Sequence, residues 1–137
     1  MIAIIDYGAG NVASVKNALD YLDVDSVITS SAQDVLASDR IILPGVGSFG
    51  AMMEGLERKK LVSVIKEEIS KGKPFLGICL GMQALFSESE ESVGVKGLEV
   101  FKGKVRKFTS GKVPQIGWNE ITPVKNTFEK GYVYFVN

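Results

Sequence analysis

The only cysteine of the chain, Cys79, stands in the run Gly77-Ile78-Cys79-Leu80-Gly81-Met82-Gln83. A short apolar run, Pro74 to Ile78, leads into it, and Leu80, Ala84 and Leu85 follow in a helical pattern. A nucleophile between glycines at a strand-to-helix turn is a nucleophile elbow, here with sulfur in place of oxygen. The chemistry it fits is attack on a carbonyl carbon through a covalent intermediate. Attack puts negative charge on the carbonyl oxygen, so N–H donors must be waiting there. The backbone N–H of Leu80, just after the nucleophile, is one candidate. The opposing reading is a buried, inert cysteine acting as a small hydrophobe. The flanking glycines and Gln83 favour the reactive reading.

A second glycine-rich segment, Pro44-Gly45-Val46-Gly47-Ser48-Phe49-Gly50, follows another apolar run. It reads either as a strand-end turn before a helix or as a loop whose peptide planes can rotate toward a ligand. A phosphate loop is unsupported, because no Gly-Lys-Ser/Thr ending is present. Gln83 lies one helical turn beyond Cys79 on the same face. Glu91 closes the acidic run Ser87-Glu88-Ser89-Glu90-Glu91, whose default reading is a solvated face. Trp118 is the only tryptophan, between Gly117 and Asn119, and Tyr134 lies in an apolar run near the C-terminus. Each could serve a core or an interface.

The elements that would position these residues alternate. Ile2 to Ile5 reads as a strand buried on both faces. Asn11 can cap a helix carrying Val12, Val15, Leu19 and Leu22 on one face. Val24 to Thr29 is predicted as a strand, Ala32 to Ser38 as a short helix, and Arg40 to Leu43 as a strand ended by Pro44. Helices are expected over Ala51 to Leu56 and through Leu61, Val62, Ile65 and Ile69, before the strand that delivers Cys79. This alternation implies βαβ units and a parallel sheet with helices on both faces. Beyond about Glu88, strands are expected at Leu98 to Phe101, Lys104 to Phe108, Asn119 to Val124 and Tyr132 to Val136. No repeat or long linker divides the 137 residues, so a single domain over 1–137 is expected.

Composition narrows the function classes. Sixteen Lys and Arg balance sixteen Asp and Glu, which argues for neither nucleic acid nor an acidic membrane as partner. The lysines are scattered, not striped. One cysteine builds no disulfide framework and suits a reducing, cytoplasmic setting. The N-terminus reads as a first strand, not a signal peptide, and no apolar run is long enough to span a membrane. No His/Cys cluster suggests a metal, and there is no histidine at all.

At the elbow, Gly-x-Cys-x-Gly-x-Gln resembles the class I (triad-type) glutamine amidotransferases. Pro44 to Gly50 resembles the oxyanion strand of one branch, the glutaminase subunits of imidazole glycerol phosphate synthases. Gly117-Trp118-Asn119-Glu120 and Tyr132-Val133-Tyr134-Phe135-Val136 are similar to that branch's synthase-facing segment and the strand after it. Ile5-Asp6-Tyr7-Gly8-Ala9-Gly10-Asn11 fits as well. The resemblance implies a flavodoxin-like, open, mostly parallel sheet whose C-terminal strands are missing here. It implies Cys79 as nucleophile, with the backbone of Leu80, Val46 and Gly47 as oxyanion hole. Gly45, Gln83 and Glu91 would bind glutamine, and Trp118, Asn119 and Tyr134 would face a (β/α)8-barrel cyclase in a heterodimer. No cofactor is implied. The family places histidine where Gln115 and Asn137 stand, and carries a His-x-Glu pair several dozen residues further on. The chain therefore reads as the N-terminal two-thirds of such a subunit, catalytically incomplete by itself. The alternatives are a non-catalytic docking or regulatory relative, a glutaminase serving another synthase, and, more weakly, a flavodoxin-like small-molecule binder.

Overall fold

β1 (Ile2–Ile5) is apolar at every position and buried from Ala3 to Ile5, as a strand covered on both faces must be. It opens the larger of two units, Met1–Arg106 and Lys107–Asn137, in a computed structural model that describes residues 1–125 and 129–137. Asn11 starts α1 (Val12–Tyr21) by accepting the Ser14 N–H. β2 (Ser26–Thr29), α2 (Ala32–Ala37), β3 (Arg40–Gly45), α3 (Phe49–Arg58), α4 (Val62–Ser70), β4 (Phe75–Cys79) and α5 (Leu80–Gln83) follow. The strands form one parallel sheet in the order β2-β1-β3-β4.

The chain steps from β1 outward to β2, then back across β1 to β3. Right-handed crossovers in opposite directions put α1 on one face and the later helices on the other. On that second face Ile5, Ile41 and Leu43 pack with Val35, Phe49, Met52, Leu56, Leu61 and Ile65 in the core. The first face carries the register partners Ile4 and Ile42, under a helix with no buried residue of its own. Leu76 pairs with Ile42 and so shares its face, yet Leu76 and Ile78 remain 45% and 39% exposed. β4 forms the edge of this sheet, with no strand beyond it among the described residues.

Several expected boundaries move. Pro44 does not end β3, which runs through Gly45. Pairing with β1 stops at Ile42, so Pro44 has a strand on one side only, where a missing N–H removes no ladder bond. α3 extends beyond the expected 51–56 at both ends, because Ser48 caps it by accepting the Ala51 N–H. The helix expected after Cys79 is a single turn, followed by β5 (Phe86–Ser89), which pairs in parallel with β6 (Phe101–Val105). The sequence reading missed β5 as a strand and split β6 between two expected ones. Leu98 to Val100 is not a strand. Glu99 has φ 56°, and a side chain on Gly97 would collide with the Phe86 carbonyl oxygen. Among the described residues no helix is long and apolar enough to cross a membrane.

The unit Lys107–Asn137 is an antiparallel hairpin of β7 (Ile116–Ile121) and β8 (Gly131–Val136), which places Trp118 opposite Tyr134. β7 begins three residues before the strand expected at Asn119. Gln115 and Asn137 exchange two backbone hydrogen bonds of 2.7 and 2.8 Å at its open end.

A charge cluster around the buried Glu68 fastens α4 to α2. Glu68 pairs with Lys73 at 2.7 Å and Lys71 at 2.9 Å. Lys73 also donates to the carbonyls of Val35 and Leu36 at 2.8 and 3.0 Å, meeting acceptors left over at the end of α2. Hydrogen bonds from Lys73 and then Lys71 hold the Glu68 carboxyl below its ordinary range. A lowered folded value stabilises the fold above the unfolded value, and that contribution is lost as pH falls through the folded value. Urea midpoints of the parent and Glu68→Gln should therefore lie well apart at neutral pH and converge in acid. Parallel curves across the range would contradict the pairing.

Candidate active site

Cys79 ends β4 with φ 55° and ψ −114°, a backbone region that side chains other than glycine rarely occupy. Such strain costs of order 1–3 kcal/mol and persists only where its surroundings enforce it. Here three glycines enforce it. A Cβ on Gly77 would lie 2.5 Å from the Gly81 carbonyl oxygen and 2.6 Å from Met82 Cα. One on Gly81 would run into the Leu43 carbonyl oxygen, and one on Gly45 would lie 2.8 Å from the Gly81 nitrogen. The strand ends and the turn of α5 thus meet backbone to backbone, and the thiol of Cys79 is left exposed at the top of the sheet.

The same packing sets the neighbours of the sulfur. Gly45 is the register partner of Cys79, so the loop through Val46 and Gly47 lies beside it. Gly47 has φ 88° and open space where a side chain would be. Leu80 opens α5, and its N–H is one of the helix-starting donors without an intrahelical partner. Gln83 ends α5, half-buried.

Glu91 has a role the sequence did not announce. Its carboxylate accepts the Phe49 N–H at 2.8 Å, and Ser92 Oγ accepts the Gly50 N–H at 2.9 Å. With Ser48, these residues satisfy the first N–H groups of α3, immediately after the Gly45–Gly47 loop. Glu91 is thereby fixed next to that loop, with one carboxylate oxygen engaged by backbone.

Tyr7, just past β1, was not singled out from sequence as a site residue. Its side chain is 2% exposed, and its hydroxyl both donates to the Val46 carbonyl (3.1 Å) and accepts the Val46 N–H (3.2 Å). Burial pushes the phenol above its usual value, against the lowering effect of its hydrogen bond to the Val46 backbone. It therefore stays a neutral hydroxyl able to donate and accept. The available signal was topological: β1 and β3 flank the point where strand order reverses, where open α/β sheets bind ligands.

In the hairpin unit, Trp118 and Tyr134 form an edge-to-face pair with centroids 5.5 Å apart, and are 69% and 50% exposed. Ile116, Tyr132 and Val136, also exposed, extend that apolar surface. Asn119 donates to the Gly117 carbonyl at 3.3 Å.

A family model described as glutamine amidotransferase class-I matches residues 3–132. The chain belongs to that family. Among its curated relatives, the imidazole glycerol phosphate synthase subunit HisH of Chlorobaculum tepidum is 46% identical over 145 aligned positions, covering all of this chain and 72% of that protein. The subunit of the same name from Bacillus cereus is 49% identical, covering all of this chain and 69% of its own length. The chain thus spans about 70% of the relatives it matches. A crystal structure of a glutamine amidotransferase superposes with a TM-score of 0.81 over 99% of this chain and 71% of that one. At 14% identity, that likeness speaks for the amidotransferase fold alone.

The glycine packing gives a paired expectation. Gly81→Ala should lower stability by about 3 kcal/mol or more, because backbone and not a flexible side chain stands in the way. Gly131→Ala, with nothing within 4 Å of the added carbon, should stay within about 0.5 kcal/mol of the parent. Urea titrations of the two variants decide it.

Proposed function

We propose that this amidotransferase chain is the glutamine-hydrolysing part of an imidazole glycerol phosphate synthase, handing ammonia to a (β/α)8-barrel cyclase partner in histidine biosynthesis. The observation that carries the chemistry is the left-handed Cys79 at the strand-to-turn junction, beside the Gly45–Gly47 loop. The identity of the HisH relatives, across the whole chain, supports the choice of synthase. In this reading Cys79 Sγ attacks the side-chain carboxamide carbon of glutamine, and the C–N bond breaks to release ammonia. Water then cleaves the γ-glutamyl thioester to glutamate. The Leu80 N–H and a donor from Val46 or Gly47 meet the oxyanion. Gly45, Gln83 and Glu91 hold the amino-acid end of the substrate. Activity belongs to a cytoplasmic heterodimer in which Trp118, Asn119 and Tyr134 contact the cyclase.

The sequence contains no histidine, the usual general base at neutral pH. General acid–base catalysis is worth about 10²–10⁴-fold. The 137-residue chain should therefore react without turning over. A glutamine-derived diazoketone should label Cys79 stoichiometrically, Cys79→Ala should take up none, and ammonia release from glutamine should stay at background with or without cyclase. Labelling elsewhere, or turnover like that of a complete glutaminase, would contradict the assignment.

The exposed aromatic pair generates a second test. Truncating an interface anchor costs about 2 kcal/mol or more, roughly thirtyfold in affinity. Trp118→Ala should weaken binding to the cyclase by that factor while the far-ultraviolet spectrum is unchanged. An unaltered dissociation constant removes Trp118 from the contact.

A further inference from the structure

The peptide N–H of Val46 lies on the loop beside Cys79, yet it is already taken by the Tyr7 hydroxyl. The same hydroxyl donates back to the Val46 carbonyl, so turning that residue toward the sulfur breaks two hydrogen bonds at once. Tyr7 is in no position to follow the loop outward. α3 crosses it so closely that a Cβ on Gly55 would lie 2.7 Å from the Tyr7 carbonyl oxygen and 3.0 Å from its ring. Val46, in contrast, stands between two glycines and is itself more than half exposed, with Gly47 in a conformation that leaves the following backbone room to turn. The fixed partner is the phenol, and the movable one is the peptide.

We propose that Tyr7 is a positioning residue for acylation of Cys79, its hydroxyl holding the Val46 N–H back from the oxyanion in the free chain. This rests on Cys79 being the nucleophile. An N–H offers a single proton, so Val46 cannot serve the phenol and a developing oxyanion together. The N–H of Leu80 is free of any such partner among the described residues. The resting site therefore presents one donor out of two, and an oxyanion-hole donor is worth about 10²–10³ in rate.

The test compares two reactions of the same sulfur on the full 137-residue chain. With p-nitrophenyl acetate, the Cys79 thiolate attacks the ester carbonyl. An S–C bond forms, the aryl C–O bond breaks, and nitrophenolate leaves with the electron pair, while the thiol proton has gone to buffer. That path passes through an oxyanion. With iodoacetamide, sulfur displaces iodide directly and no oxyanion develops. Cys79→Ala supplies the background for both. Tyr7→Phe should raise the acylation rate by at least about three- to tenfold relative to the alkylation rate, the range of one neutral hydrogen bond, since both bonds of the hydroxyl are removed. A role confined to stability would move both rates together. An unchanged or lowered ratio overturns the proposal. If neither protein is acylated at Cys79 above background, the nucleophile reading itself fails and the latch with it. Should Tyr7→Phe not fold, amide exchange in the parent still decides. The Val46 N–H should be protected although its residue is exposed, and exchange as fast as at Gly47 overturns the latch.

Discussion

The contact on which the site depends is the approach of the Gly81 backbone to the Leu43 carbonyl. It allows no side chain, and it brings the turn after β4 down onto the end of β3. With that turn seated, Cys79 has no relaxed conformation available and is held at positive φ. The strain of order 1–3 kcal/mol is borne by the sheet, whose buried strands and the helices over one face outweigh it. In the proposed reading reactivity is therefore a consequence of packing: the sulfur is exposed because the backbone around it has nowhere else to go. The same contact puts the Gly45–Gly47 loop beside the sulfur, since Gly45 is both the register partner of Cys79 and a neighbour of the Gly81 nitrogen.

In the proposed reaction most of the chemistry is carried by backbone. Cys79 attacks the carbonyl, Gln83 and Glu91 hold the amino-acid end, and the groups proposed to meet the oxyanion are N–H donors of Leu80, Val46 and Gly47. This is why net charge and composition say so little about the function, and why substitutions of glycine matter more here than substitutions of charge. It also explains the cost of misplacing the loop. A donor that points toward the Tyr7 hydroxyl differs from one that points at an oxyanion by the rotation of a peptide plane, with no change in the fold.

How much of this could be read from the sequence depends on range. The glycines around Cys79, the apolar run of Ile2 to Ile5, and the cap Asn11 act over a few residues, and the corresponding elements stand where expected. Pro44 misled because its tolerance depends on where β1 stops pairing, which is a property of the sheet. β5 was missed because Phe86 to Ser89 sits in an acidic stretch, and its strand state is set by pairing with β6 fifteen residues later. The Tyr7–Val46 pair spans 39 positions and joins two strand ends, so no local pattern reveals it. Glu91 was legible as a site candidate only through family resemblance. Its capping of α3 follows from a loop whose path the sequence does not state.

The central claim is that a strained Cys79 offers its sulfur to a carbonyl whose oxygen faces backbone donors. A crystal structure of the chain carrying a glutamine-derived ketone on Cys79 measures this most directly. The account predicts that Cys79 keeps its positive φ and that the ketone oxygen lies within hydrogen-bond distance of the Leu80 N–H, about 2.7–3.2 Å. A relaxed Cys79 with negative φ, or a ketone oxygen turned to solvent away from Leu80 and the Val46–Gly47 loop, would contradict it.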